Sequence, residues 1–122
     1  MKTNNIYLKI AGGGILAATL ENNLSSEALV EQLEKGDLTV SMEDYAGMEK
    51  VGSLGIRLPR NDRPIATTAG DLILYQGHNF VIYYDTNSWN FTRLGRINGK
   101  SGKELLAILG RGDVKITLSL NK

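Results

Sequence analysis

The stretch GDLILYQGHNFVIYYD, residues 70–85, decides the reading of this chain. Two runs of strong strand formers, residues 72–75 and 80–84, flank the polar insert Gln76-Gly77-His78-Asn79. Branched and aromatic side chains suit the pleated surface of a sheet, and a short polar insert with glycine turns one strand back on the next. The stretch reads as a β-hairpin. Its alternation places Phe80, Ile82 and Tyr84 on one face and Val81 and Tyr83 on the other. Which face looks inward is open from the residues alone.

The same period of two recurs on either side. At the N-terminal end Ile6, Leu8 and Ile10 share a face, Gly12, Gly13 and Gly14 allow a reversal, and Leu16, Ala18 and Leu20 share the next face. A phosphate loop is the other use of such a glycine run, but no Walker lysine follows it and no helix opens there. A helix comes next, with Ser25 or Ser26 as its cap, Glu27 in its first turn and Gly36 at its end. Leu29, Val30 and Leu33 form its apolar stripe. Residues 38–42 alternate through Leu38, Val40 and Met42, and residues 54–58 through Leu54, Ile56 and Leu58. The intervening EDYAGMEKVG is left without an element, and its Tyr45 and Met48 are expected over one end of the molecule.

Beyond the hairpin a polar turn at 85–88 leads into WNFTRLGRI, residues 89–97. Ser101 and Glu104 then make a capping box for a short helix with Leu105, Leu106, Ile108 and Leu109 on its buried side. A last strand carries Val114, Ile116, Leu118 and Leu120 inward. The pattern predicts a mainly β chain of about eight strands and two short helices, closed into a barrel that leaves no open edge. Residues 1–122 form one domain in this reading, with no repeat, linker or low-complexity segment.

Composition narrows the function classes. The chain has 122 residues, no cysteine and a net charge of +1, so thiolate ligands, disulfides and a cysteine nucleophile are excluded. Charge is uneven: residues 1–56 carry a net −4 and residues 57–122 a net +5. No like-charge block resembles a nucleic-acid tail, and the tyrosine-rich strands lack interleaved bases, which argues against a nucleic-acid partner. No apolar run approaches the roughly 20 residues that cross a bilayer. The opening MKTNNIYLKIAGGG reads as a first strand rather than a signal peptide, so the expected location is cytoplasmic with no membrane partner.

The order of elements, with the segments IAGGGILAATLENN, SSEALVEQLEKG, LTVSMEDYAGMEKVG, GDLILYQGHNFVIYY and TRLGRI, resembles the bacterial and archaeal cyclophilin-like family of small uncharacterised domains. The resemblance implies an eight-stranded barrel with two capping helices and a surface groove. In true cyclophilins that groove holds proline-containing peptides, and an arginine, a proline pocket and a glutamine act on the twisted peptide bond. The corresponding neighbourhood is IRLPRNDRPIATTAGD, where Arg57 stands for the arginine. The aromatic-methionine-glutamine cluster is missing, and Ala66, Thr67 and Thr68 do not replace it.

Candidate site residues follow from what such a groove needs. Arg57 or Arg60 can donate to a peptide carbonyl or an anion, and Arg57 is the candidate catalytic residue; local pairing with Asp62 is the alternative use of these arginines. Tyr75, Phe80, Tyr83 and Tyr84 line a groove wherever they point outward, and pack in the core otherwise. Trp89, the sole tryptophan, is expected to fold over a barrel end, with a recognition anchor as the alternative. His78 is placed in the exposed hairpin turn, and Glu43, Asp44 and Glu49 match no carboxylate motif, so no metal or cofactor is expected. The function classes that remain are a non-catalytic peptide- or small-ligand-binding module, then a divergent prolyl isomerase, then a structural or oligomer-forming domain. Monomer and homo-oligomer stay equally open.

Overall fold

The computed structural model describes residues 4–45, 47 and 49–122. Its elements in chain order are β1 (Asn5–Ile10), β2 (Ile15–Leu20), α1 (Leu24–Lys35), β3 (Leu38–Tyr45) and β4 (Glu49–Ser53), then β5 (Arg63–Ala66), β6 (Asp71–Tyr75), β7 (Asn79–Tyr83), β8 (Ser88–Ile97), α2 (Gly102–Leu109) and β9 (Val114–Ser119). Strands pair in the order β2-β1-β9-β3-β4-β7-β6-β8, and β8 returns to β2. Eight strands therefore close a ring in which every pairing is antiparallel. Closure consumes the free edges that eight short strands would otherwise present. The mainly β barrel with two helices is the architecture the alternation predicts.

Alternation also fills the barrel. Ile6, Leu8, Leu16, Ala18, Val40, Met42, Leu72, Leu74, Phe80, Ile82, Leu94, Ile116 and Leu118 point inward and make one core. Strand polarity fixes the helices: α1 joins the end of β2 to the start of β3, and α2 joins the end of β8 to the start of β9, so they close opposite ends. Each adds its apolar stripe to the same core, Leu29, Val30 and Leu33 from α1 and Leu105 and Leu109 from α2. The capping box on α2 is present, with Ser101 Oγ accepting from the Glu104 amide and the Glu104 side chain accepting from the Ser101 amide.

The barrel closes between β2 and β8 over only three residue pairs, Ala18 with Ile97, Thr19 with Arg96 and Leu20 with Gly95. Here the two backbones touch: a Cβ on Gly95 would lie 2.3 Å from the Thr19 carbonyl oxygen and 2.8 Å from Leu20 Cα. Behind this seam Asp71, fully buried, accepts from Arg96 Nε at 2.7 Å, pairs with Arg93 at 3.2 Å and accepts from the Thr68 amide at 2.9 Å.

Four local expectations need correction. Residues 54–58 form no strand; Leu54 and Leu58 are buried because this loop plugs the barrel end beside α1, where Ser25 Oγ donates to the Pro59 carbonyl. The strand lies earlier, in β4, within the segment left without an element. The cap of α1 is Asn23, whose side chain accepts from the Ser26 amide at 2.8 Å, while Ser26 donates its own hydroxyl to the Leu94 carbonyl at 2.8 Å. Tyr45 does not cover an end: it is 61% exposed on β3, and Met48 lies outside the described residues. Among the described residues no helix is long and apolar enough to cross a membrane.

Candidate functional site

Outside the ring, β5 pairs with the first half of β8 (Arg63 with Phe91 through Ala66 with Ser88) as a two-stranded ribbon. The second half of β8 belongs to the barrel wall, with a register shift between Leu72 and Ile73 on its partner β6. The ribbon lays Phe91 against the outer face of the barrel. Its ring meets Tyr75 edge-on at 6.0 Å between centroids and Tyr83 at 5.7 Å. Ile73, Val81, Tyr83 and Phe91 make a second, smaller core there, with Val51, Ile65 and Tyr75 around it.

Strand register builds the floor of a cleft beside this cluster. Tyr45 pairs with Glu49, and Glu49 with Tyr83, so the three form one row across β3, β4 and β7. Val51 and Val81 form the next row, and Asn79 with Tyr75 the last. Trp89, two residues before Phe91 on the ribbon, shares its face and stands 62% exposed. These residues, with Asn87, enclose about 390 Å³, within the general range of small-molecule sites, roughly 300–1,000 Å³.

The polar groups of the cleft form a chain. Thr67, buried, and Asn87, half-buried, are tied by two hydrogen bonds: the Thr67 amide donates to the Asn87 carbonyl at 2.7 Å, and the Asn87 amide to Thr67 Oγ1 at 2.9 Å. Asn87 Oδ1 accepts from the Ser88 amide at 3.0 Å, which orients its Nδ2 to donate to the Tyr83 hydroxyl at 3.3 Å. The Tyr83 hydroxyl in turn bonds the Glu49 carboxylate. Burial pushes the Glu49 pKa up, the Tyr83 bond lowers it, and the nearby Asp44 carboxylate raises it again; the net shift is upward from 4.5. Burial likewise pushes the Tyr83 phenol well above its ordinary range. Tyr83 is therefore a neutral donor at physiological pH.

Behind Glu49, Lys50 points into the barrel and is fully buried. Its Nζ donates to the Gly112 carbonyl at 2.7 Å and to Asp44 at 3.2 Å, and lies 5.9 Å from the centre of the Tyr84 ring. The Tyr84 hydroxyl donates to Asp44 as well.

The candidate residues read from the sequence thus divide. Tyr75, Tyr83 and Trp89 line the cleft together. Phe80 and Tyr84 are on the inward face of β7 and its extension, buried in the barrel core, and reach no cleft. Trp89 stands on the outer ribbon, not over a barrel end, which corrects its expected core position. The structure places Arg57 and Arg60 away from the cleft: Arg57 donates to the Gln76 carbonyl at 3.3 Å, and Arg60 Nε to Asp62 at 2.9 Å. His78 sits at the hairpin turn, its Nδ1 3.1 Å from the Gln76 carbonyl oxygen. Among the described residues no cluster of His, Asp or Glu side chains could hold a metal ion. Sequence reasoning missed Phe91, Asn87 and the role of Glu49. The signal for Phe91 was its spacing of two from Trp89; Glu49 had none, because its strand was unrecognised.

The model of the cyclophilin-like family matches residues 10–119. The chain belongs to that family. Among solved structures, this cyclophilin-like domain superposes on McbB in complex with tryptophan with a TM-score of 0.65 at 13% identity. The superposition covers 95% of this chain and 44% of McbB, so the chain spans less than half the length of that protein, and the likeness is one of fold. No curated protein sequence matches the chain.

Proposed function

We propose that this cyclophilin-like domain is a non-catalytic binding module whose outer cleft takes a small molecule, or a peptide side chain, with a flat apolar body. The observation that carries this reading is the concentration of Tyr45, Tyr75, Tyr83, Trp89 and Phe91 around one cavity with few polar groups. Aromatic walls with a small number of fixed hydrogen-bonding groups are the usual makeup of a small-molecule site. The fixed groups here are Asn87 and Glu49, both bonded to the Tyr83 hydroxyl, with Asn79 as a further amide in the lining. A tryptophan-bound relative in fold is in keeping with a flat aromatic ligand.

Prolyl isomerisation needs a donor that favours the twisted amide over the planar one, a task an arginine performs in cyclophilins. The cleft lining contains no arginine. Binding is therefore the reading the site supports better. The test is a titration of isotope-labelled protein with tryptophan and with phenylalanine, followed through backbone amide shifts. Saturable shifts confined to Glu49, Tyr75, Tyr83, Asn87 and Trp89 are expected. Shifts spread over the barrel without saturation would refute the cleft as the site, and turnover of Xaa-Pro peptides would restore the isomerase.

A further inference from the structure

The proposed cleft carries a charge preference that its aromatic walls alone do not disclose. Of the residues lining it, Glu49 is the only carboxylic acid, and no lysine, arginine or histidine stands beside it. Among the described residues Glu49 has no ion-pair partner. Its neighbour Lys50 is turned into the barrel and committed to Asp44 and the Gly112 carbonyl. Arg60 pairs with Asp62, Arg93 and Arg96 pair with Asp71, and no arginine lines the cleft. A buried carboxylate with one phenol donor and no counter-ion is an incomplete arrangement, because buried charges are ordinarily paired.

The rings around it favour the same missing charge. Aromatic faces carry negative quadrupole density and attract cations, more strongly where water is excluded. Tyr75, Tyr83 and Phe91 are locked together by their ring contacts, and Tyr45 and Trp89 stand exposed at the rim. An anionic ligand would meet Glu49 and find only neutral donors, amide, phenol and indole groups, with no cationic side chain in the lining.

We infer that the cleft selects an organic cation, a protonated or quaternary amine on a flat apolar body, with its nitrogen at the Glu49 carboxylate and its body among Tyr75, Tyr83, Trp89 and Phe91. This rests on the ligand-cleft reading above and adds the sign of the ligand's charge.

The experiment compares three ligands that share one ring and differ in headgroup: phenethylamine, phenethyl alcohol and hydrocinnamate. Each is titrated into the wild type and Glu49→Gln proteins by calorimetry and by the fluorescence of Trp89, the chain's sole tryptophan. The amine is expected to bind about tenfold more tightly than the alcohol, the scale of one desolvated cation–ring contact with a paired carboxylate. Hydrocinnamate is expected to bind most weakly. Glu49→Gln keeps the shape and the Tyr83 bond, and should bring the amine to the level of the alcohol. Equal binding of all three would overturn the charge preference and leave the ligand cleft standing. No binding of any of them would remove both. The order among the three in wild-type protein tests the inference even if the variant folds poorly.

Discussion

Gly95→Ala probes the narrowest point of the barrel. The added Cβ would lie 2.3 Å from the Thr19 carbonyl oxygen, 2.8 Å from Leu20 Cα and 3.0 Å from the Thr19 carbonyl carbon. All three are backbone atoms, so no rotamer change relieves the clash, and β2 and β8 must separate by about 1 Å to restore ordinary contact. Overpacking typically costs about 1–3 kcal/mol. The short β2–β8 seam includes the Glu21 amide donating to the Leu94 carbonyl at 2.7 Å, and weakening even one such bond adds roughly 1 kcal/mol. A loss near 3 kcal/mol follows. With an unfolding entropy of about 2.1 cal/mol/K per residue, that corresponds to a fall in Tm of about 12 °C. Gly112→Ala is the control, since its Cβ would meet nothing within 4 Å. Thermal melts followed by far-UV circular dichroism measure both. If Gly95→Ala melts with the wild type, the two strands do not approach as described and the ring is not closed at this seam.

Further outcomes concern the cleft and its supports. Because Glu49 has a pKa raised by burial and by Asp44, the native state holds its proton more tightly than the unfolded chain. Stability from this group is present below 4.5 and lost as pH rises through the raised native value. Asp44 from β3 and Tyr83 from β7 face the same carboxylate and are left in place by Glu49→Gln. That variant should melt higher than the wild type at neutral pH, with the gap closing in acid; a gap that does not change with pH would refute the shift. Phe91→Ala should cost roughly 3 kcal/mol by denaturant unfolding, since the ring is 4% exposed and fills the outer core. Trp89→Ala, at 62% exposure, should cost about 1 kcal/mol or less of stability. The same variant should weaken ligand binding several-fold through the lost ring face, and unchanged affinity would take Trp89 out of the site. Lys50→Met keeps the buried stem but leaves Asp44 and the Gly112 carbonyl short of a donor, so a loss of roughly 2 kcal/mol is expected in the same assay.

Most of the barrel is legible in the sequence because most strands have one face in the core and one in water. Ile6, Leu8 and Ile10 announce β1 in this way, and Ile116 and Leu118 announce β9. The signal fails where that division fails. Strand β7 is apolar on both faces because the ribbon covers its outer side, so the alternation of residues 80–84 could not tell floor from core. Strand β4 hides behind a buried lysine, and Gly52, whose Cβ would strike the Ser41 carbonyl oxygen at 2.3 Å, breaks its pattern. Residues 54–58 alternate convincingly yet join no ladder, their Leu54 and Leu58 amides bonding only the hairpin-turn carbonyls of His78 and Gly77, because a loop lying across a barrel end buries alternate side chains too. The site shows the same limits. Its aromatics could be named from composition, but the pairing of Glu49 with Tyr83 is a matter of register between strands far apart in sequence.

Strand β8 serves two sheets, and this divides the labour of later mutation. Its second half is one stave of the ring, held by β2, β6 and the arginine pairs on Asp71. Its first half pairs its backbone only with β5, which contributes no rung to the ring. Insertions, deletions or exchanges in β5 and in residues 88–90 can reshape the rim of the cleft while the circuit of barrel hydrogen bonds stays whole. The shape and lining of the cleft can thus drift without the fold having to be rediscovered each time.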